Sequence, residues 1–138
     1  MPLRIKLPAK EKIIINGAVI ENAGEATTVI LHNKADILRR KEVMKEEDAV
    51  SPSRRIYYSL QCAYLFKDDR KKYLDTFEGY ATDYEDAAPS AKPLLDDIRK
   101  FVAQEKYYEA LRKTLKVIEH ETERLIEVGI LPRPEEAK

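Results

Sequence analysis

The dipeptide Asn16-Gly17 stands between two short apolar runs, KIII at 12–15 and AVIEN at 18–22. Asparagine and glycine both tolerate a positive φ, and a two-residue hairpin turn requires that conformation at both of its positions. Val and Ile dominate the flanking runs, and their branched side chains suit a pleated strand. This stretch therefore predicts an antiparallel β-hairpin near the start of the chain.

Three further runs of strand length surround the hairpin. They are LRIKL at 3–7, TTVILHN at 27–33 and DILRR at 36–40. In the first of them apolar and basic side chains alternate, which is the period of a strand with one buried face. Together with the hairpin, these runs predict a meander of four or five strands.

The apolar period changes after KEEDAVSPSRR at 45–55. This segment carries acids, a proline and two serines, so it is interpreted as a linker with Ser53 as the N-cap of a helix. Beyond it, apolar residues recur every three or four positions in four successive stripes, and the last stripe ends at Gly129 and Pro132. The predicted fold class is α+β: a small antiparallel N-terminal sheet followed by a helical C-terminal half of about four helices.

The change of period also predicts the domain organisation. Residues 1–48 form a strand-rich module, residues 53–131 a helical bundle, and residues 132–138 a tail. Residues 1–45 contain nine Lys and Arg against five Asp and Glu, a net +4, while the remainder contains 16 against 20, a net −4. Chance is the simpler explanation of this uneven charge distribution. The functional explanation is a basic face that binds an anionic partner.

The sequence contains no residue pattern typical of catalysis or of a metal site. His32 and His120 lack a second histidine or cysteine at metal-ligand spacing, and no histidine lies near Cys62 in sequence. We therefore expect surface or turn histidines and a buried structural thiol. Carboxylates such as Glu119 and Glu121 alternate with basic residues, which predicts a solvated helix face. The protein is expected to be a non-enzyme without a cofactor or a metal ion.

The single cysteine is typical of a protein from a reducing compartment. No apolar run approaches the length of a membrane span, and the first residues lack the apolar core of a secretory signal. These features predict a cytoplasmic protein with no membrane contact.

Basic residues cluster on two of the predicted strands. Because side chains alternate faces along a strand, Arg4 and Lys6 are expected to share one face of their strand, and Arg39 and Lys41 to share one face of theirs. The sequence does not determine whether the two faces coincide; if they do, they form a basic sheet edge suited to phosphates and exposed bases. The candidate RNA-binding residues are Arg4, Lys6, Arg39, Arg40 and Lys41.

All eight tyrosines lie in the helical half, most of them on the apolar stripes. Core packing with the hydroxyl at the rim is the simpler interpretation. One alternative is a stacking surface for RNA bases, although an acidic half is a poor electrostatic host for RNA. A docking face for a protein suits these tyrosines better. The tyrosines assigned to that face are Tyr58, Tyr80, Tyr84, Tyr107 and Tyr108.

Four segments distributed from Pro2 to about Leu131 resemble the FlbT family of flagellin-regulatory proteins. They are IINGAVIEN (14–22), ILRRKEVM (37–44), SRRIYYSLQ (53–61) and KYYEALRKTLKVIEHE (106–121). The resemblance implies a post-transcriptional regulator that acts on the 5′ leader of flagellin messenger RNA. Most members of the family repress translation or hasten decay, and some act positively. The resemblance also implies a FlaF-like protein as a partner.

The strand half, residues 3–45, is similar more weakly to the carbon-storage regulator CsrA. Its segment LRRKEV at 38–43 resembles the family's VHREEI, and AKEKIIINGAVI at 9–20 resembles GETLMIGDEV. That match places Arg40 where the family has an RNA-contacting arginine, with Lys6 near a basic residue of the first strand. Arg39 and Lys41 depart from the family pattern but keep the segment cationic. CsrA is an intertwined dimer, so the likeness also implies a homodimer.

These observations favour an RNA-binding regulator of flagellin expression. In this interpretation the strands bind the messenger leader, and the helical half binds a FlaF-like protein, flagellin or a second copy. The alternative is a protein–protein adaptor or flagellin-chaperone-like module of flagellar assembly that makes no direct RNA contact. The sequence does not determine the sign of regulation, the RNA motif or the oligomeric state.

Overall fold

A computed structural model describes residues 2–132 of the chain. The described residues form five strands followed by four α-helices, which confirms the predicted α+β class. The strands are β1 (Leu3–Leu7), β2 (Lys12–Ile15), β3 (Ala18–Glu21), β4 (Thr27–Leu31) and β5 (Ile37–Arg39). The helices are α1 (Pro52–Leu65), α2 (Arg70–Ala87), α3 (Lys92–Ala103) and α4 (Tyr107–Glu127). The tail predicted at 132–138 lies, beyond Pro132, outside the described residues.

The strands are divided between two small antiparallel sheets. β1 pairs with β4, and β2 lies between β3 and β5. The expected meander is wrong, because β2 and β3 are the only described strands that are consecutive in sequence and also pair; β1 does not pair with β2, and β4 pairs with neither β3 nor β5. The chain passes from the β1–β4 sheet to the β3–β2–β5 sheet after β1, returns to the first sheet at β4, and enters the second sheet again at β5.

Asn22 explains this separation. Its side-chain amide donates to the carbonyl oxygens of Leu7 at 2.9 Å and Glu25 at 2.8 Å. The backbone N–H of Lys10 also donates to the Asn22 carbonyl at 2.7 Å. These bonds hold the end of β3 against the end of β1, so the chain enters β4 beside β1 and not beside β3.

The predicted hairpin at Asn16-Gly17 is confirmed. Asn16 has φ of 50° and Gly17 of 82°, and Ile15 is directly paired with Ala18 across the turn. The Asn16 side chain accepts a hydrogen bond from the Asp36 N–H at 2.9 Å, which attaches the turn to the entry of β5. The turn therefore connects two strands locally and positions a third.

Helix α1 begins differently from the prediction. Its N-cap is Ser51, whose hydroxyl accepts a hydrogen bond from the Arg54 N–H at 3.4 Å, and Pro52 occupies the first helical turn. The predicted N-cap, Ser53, lies inside the helix and is fully buried. Proline is favoured at the first helical position, so of the two serines beside Pro52 the preceding one becomes the cap.

The main apolar core is built from all four helices and one strand residue. Leu38 of β5 is fully buried in this core among helical residues that include Ile56, Leu60, Phe77 and Leu95. A smaller cluster of Ile5, Leu7 and Ile13 fills the space between the two sheets. Leu38 therefore attaches β5, and the basic segment that follows it, to the helical bundle.

Candidate nucleic-acid interface

A groove on the strand half is lined by four cationic side chains. Lys6 comes from β1, Arg39 from the end of β5, and Arg40 and Lys41 from the 3₁₀ turn Arg40–Glu42 that follows. The groove has a volume of about 570 Å³, and Pro8 and Glu11 also line it. The two strands belong to different sheets, so the fold brings together four of the five predicted RNA-binding residues. We refer to this site as the basic groove.

The fifth predicted residue, Arg4, is exposed on β1 and does not line the groove. Lys41 was expected on the last strand, but β5 ends at Arg39 and Lys41 lies in a 3₁₀ turn. Strand alternation therefore does not place Arg39 and Lys41 on one face. The tight turn after the strand carries Lys41 into the basic groove.

Within the part of the chain that the structure describes, the cations of the basic groove form no ion pair with an acidic side chain. Among residues 2–132, none of the ion pairs involves Lys6, Arg39, Arg40 or Lys41. The lining residue Glu11 contributes one negative charge against four positive ones. A concave site with an excess of positive charge attracts anions and releases their counterions on binding.

Glu42 holds the basic turn against the helices. Its carboxylate accepts hydrogen bonds from the Arg39 N–H at 3.1 Å and the Tyr108 hydroxyl at 2.5 Å. Its backbone carbonyl accepts one from the Tyr57 hydroxyl at 2.6 Å. Side chains of α1 and α4 therefore support the turn that carries Arg40 and Lys41.

Two more side chains of α1 hold the same segment. The Gln61 amide donates to the Met44 carbonyl at 2.8 Å and accepts from the Met44 N–H at 2.7 Å. The Tyr64 hydroxyl donates to the Ile37 carbonyl at 3.0 Å. Burial, followed by the charge of Asp36, raises the pKa of Tyr64 to about 12. Tyr64 therefore remains a neutral donor at physiological pH.

The five tyrosines assigned to protein docking have different environments. Tyr84 is 3% exposed, and its hydroxyl lies 2.9 Å from Nδ1 of His120, so it belongs to the core. Tyr108 donates to Glu42, and the Arg70 guanidinium lies 4.3 Å from the centroid of the Tyr107 ring. Tyr58 and Tyr80 are half-buried on α1 and α2. Tyr84, Tyr107 and Tyr108 line three separate clefts.

Four single residues can also be compared with the environments expected for them. His32 is exposed and Cys62 is buried, as predicted. Burial raises the pKa of the Cys62 thiol, which keeps it in its unreactive protonated form. His120 is half-buried on α4, where its ring bridges the hydroxyls of Tyr84 and Ser90. Glu121 was expected on a solvated face but is only 9% exposed.

The sequence did not reveal an apolar cleft on the helical half. This cleft, of about 440 Å³, lies between the start of α1, the end of α2 and the end of α4. Val50 and Val128 line the cleft and are 69% and 68% exposed. Leu125 and the buried Tyr84 also line it. We refer to it as the apolar cleft. The sequence signal for this cleft was weak, because both valines lie outside the periodic apolar stripes of the helices.

The described residues contain no group of three or more His, Cys, Asp or Glu side chains able to hold a metal ion. None of the helices in that part of the chain is long and apolar enough to cross a membrane.

A family model described as "Flagellar protein FlbT" matches residues 3–125, which include the basic groove and most of the helical bundle. This chain belongs to the FlbT family. Membership confirms the resemblance inferred from the four sequence segments. The weaker likeness of the strand half to CsrA stays a prediction.

Several FlbT relatives align over nearly the whole chain. The "Probable flagellum biosynthesis repressor protein FlbT" of a Caulobacter species is 34% identical over 127 residues, covering 91% of this chain and 97% of the relative. The "Flagellum biosynthesis repressor protein FlbT" of Caulobacter vibrioides is 34% identical, covering 91% and 90%. A Rhodopseudomonas palustris FlbT is 34% identical over 125 residues, covering 91% and 98%. No solved structure matches this FlbT-family chain.

Proposed function

We propose that this protein regulates flagellum biosynthesis by binding the 5′ leader of flagellin messenger RNA in the basic groove, thereby altering translation or decay. The observation that carries the proposal is the convergence of Lys6, Arg39, Arg40 and Lys41 from two sheets. Relatives named as flagellum biosynthesis repressors support the regulatory role. The names of these relatives favour repression, and not activation, as the direction of regulation by this chain.

The distribution of charge agrees with this role. The first 45 residues carry a net +4 and the remainder a net −4. An RNA backbone is attracted to the strand half and repelled by the helical half, so the charge orients the ligand toward the basic groove. The protein acts in the cytoplasm as a binding module and performs no chemistry on the transcript.

A binding assay with labelled flagellin leader RNA over a salt series tests this function. Four contacts to single-stranded phosphates correspond to a slope of about −3 in log affinity against log salt. Lys41→Ala should reduce that slope by about one and weaken binding on all sequences alike. The matched control is Lys71→Ala, which removes an exposed lysine of α2. Absence of binding at low salt, or equal effects of the two variants, would contradict the proposal.

The second candidate function is that of a protein–protein adaptor or flagellin-chaperone-like module. The apolar cleft favours it, because Val50 and Val128 present apolar surface to solvent at the mouth of a concavity. Its proposed occupant is a FlaF-like protein or flagellin. The two functions are compatible, since the cleft and the basic groove are lined by different residues.

Self-association is a further proposal about partners. All four residues of the edge strand β3 are exposed, with Val19 at 65% and Ile20 at 43%. An unprotected edge presents free backbone donors and acceptors to another strand. Antiparallel pairing of two β3 strands about a two-fold axis would place Val19 against Ile20 of the second copy and keep the Glu21 charges apart.

A further inference from the structure

A small cleft adjoins the basic groove and shares one residue with it. Its volume is about 270 Å³, and Leu3, Ile5 and Ile37 supply its apolar lining. Its polar lining includes Arg39, Glu42 and Tyr108. Arg39 lines both sites, so a ligand that occupies the basic groove lies next to the entrance of this cleft.

The carboxylate in this cleft retains hydrogen-bonding capacity. The Glu42 side chain is 13% exposed, and its nearest cationic atom is Nη1 of Arg112 at 3.9 Å. One carboxylate oxygen accepts from the Arg39 N–H and the other from the Tyr108 hydroxyl. Each carboxylate oxygen can accept two hydrogen bonds, so one further donor can be accommodated on each.

We propose that this cleft, the base cleft, receives one unstacked RNA base that carries an exocyclic amino group. The inference rests on the proposed RNA-binding function and names the base class that the site selects. Proteins read single-stranded RNA by enclosing splayed bases between aromatic and apolar side chains and bonding to their polar edges. In the base cleft Leu3, Ile37 and Tyr108 line the site beside the base, and the Glu42 carboxylate accepts the amino protons.

The chemistry of Glu42 sets the preference. The exocyclic amino group of cytosine donates two protons, and a carboxylate is its natural acceptor. Uracil presents a carbonyl oxygen at the same ring position, which a carboxylate repels. Cytosine and uracil have the same size and shape and differ only on their hydrogen-bonding edge, at the exocyclic group and at N3, so this pair of bases tests recognition of that edge.

The surroundings favour a base over a cationic side chain from a protein. A carboxylate beside an aromatic ring could also hold an arginine or lysine of a peptide. Such a cationic side chain would lie beside the groove lined by Lys6, Arg40 and Lys41, whose positive charges disfavour it. A base arrives attached to phosphates that the same three cations attract.

The test compares oligo(C) and oligo(U) of equal length at one low salt concentration. The unmodified chain is expected to bind oligo(C) about tenfold more tightly than oligo(U). Glu42→Gln should bring the two affinities close together, because an amide offers a donor as well as an acceptor. Glu47→Gln is the matched control, since it removes an exposed acid from the next 3₁₀ turn and should preserve the preference.

A second variant keeps the test informative if Glu42→Gln disturbs the fold. Leu3 is 50% exposed on the base cleft, so Leu3→Trp should block it and abolish the preference without touching Glu42. Circular dichroism checks the fold of each variant. Equal binding of oligo(C) and oligo(U) by the unmodified chain would overturn the base cleft and leave the proposed function standing. Failure to bind either polymer or the leader RNA would overturn the proposed function itself.

Discussion

The Glu121 carboxylate accepts two hydrogen bonds from Ser53, one from the backbone N–H at 3.0 Å and one from the hydroxyl at 2.8 Å. The two residues are 68 positions apart, and both are buried. The carboxylate satisfies an N–H of the first turn of α1, where the helix dipole favours negative charge. The pair therefore joins the last helix to the start of the first.

Replacing Glu121 should destabilise the fold. Glu121→Ala leaves two buried donors of Ser53 without a partner, at an expected cost of about 3 kcal/mol. Urea unfolding followed by circular dichroism measures the free energy of unfolding. The matched control is Glu119→Ala in the same helix, because the Glu119 side chain is 68% exposed and should cost less than about 0.5 kcal/mol. Similar losses in both variants would refute the structural role of the Ser53–Glu121 pair.

Two glycines should respond in opposite directions to an added side chain. Gly17 has φ of 82°, and a Cβ there would lie 3.2 Å from the Leu65 carbonyl oxygen, so Gly17→Val should destabilise by about 2 kcal/mol or more. Gly79 lies within α2 with open space around its Cα, so Gly79→Ala should stabilise by about 0.5–1 kcal/mol. Thermal unfolding distinguishes the two. A stable Gly17→Val protein would disprove the tight turn.

Stability should fall in alkaline solution as a buried tyrosine ionises. Burial, followed by the charge of Glu42, raises the pKa of Tyr57 from 10.0 to about 12. The folded state holds this proton more tightly than the unfolded chain, so the stabilisation is complete below pH 10 and is lost between pH 10 and about 12. Unfolding measured at about pH 9 and about pH 11 should show a smaller loss in Tyr57→Phe. Identical losses would contradict the raised pKa.

The basic groove and the apolar cleft should bind different partners. Val128→Asp places a charge at the mouth of the apolar cleft and should weaken binding of a purified FlaF-like protein or flagellin by about tenfold or more. Leader RNA binding should be unchanged. Ile130→Asp is the control, since Ile130 is 67% exposed but does not line the cleft. Lys41→Glu should weaken RNA binding and leave protein binding unchanged. Loss of binding to both ligands in either variant would contradict the separation of the two sites.

Self-association through β3 should depend on its exposed edge. Val19→Lys introduces a charge where two strands would meet, so the variant should remain monomeric in sedimentation equilibrium at concentrations where the unmodified chain associates. Leu115→Lys, on an exposed position of α4, should associate normally. A monomeric unmodified chain at every concentration would refute pairing through β3.

The sequence by itself determined the local elements of this protein. Asn16-Gly17 has its turn conformation because both residues tolerate a positive φ, whatever surrounds them. The four helices follow from apolar residues spaced at three and four, and the cluster of cations at 39–41 is visible in the chain. These features depend on residues within a few positions of one another.

The tertiary structure alone decided which distant residues meet. Asn22 bonds to Leu7, 15 positions away, and this contact separates the strands into two sheets. Glu121 looks like a surface acid until Ser53 is folded against it, and Tyr108 meets Glu42 across 66 positions. Lys6 joins the cations at 39–41 only through the packing of both sheets. Such contacts depend on how complete elements pack together, and no local spacing of residues encodes that packing.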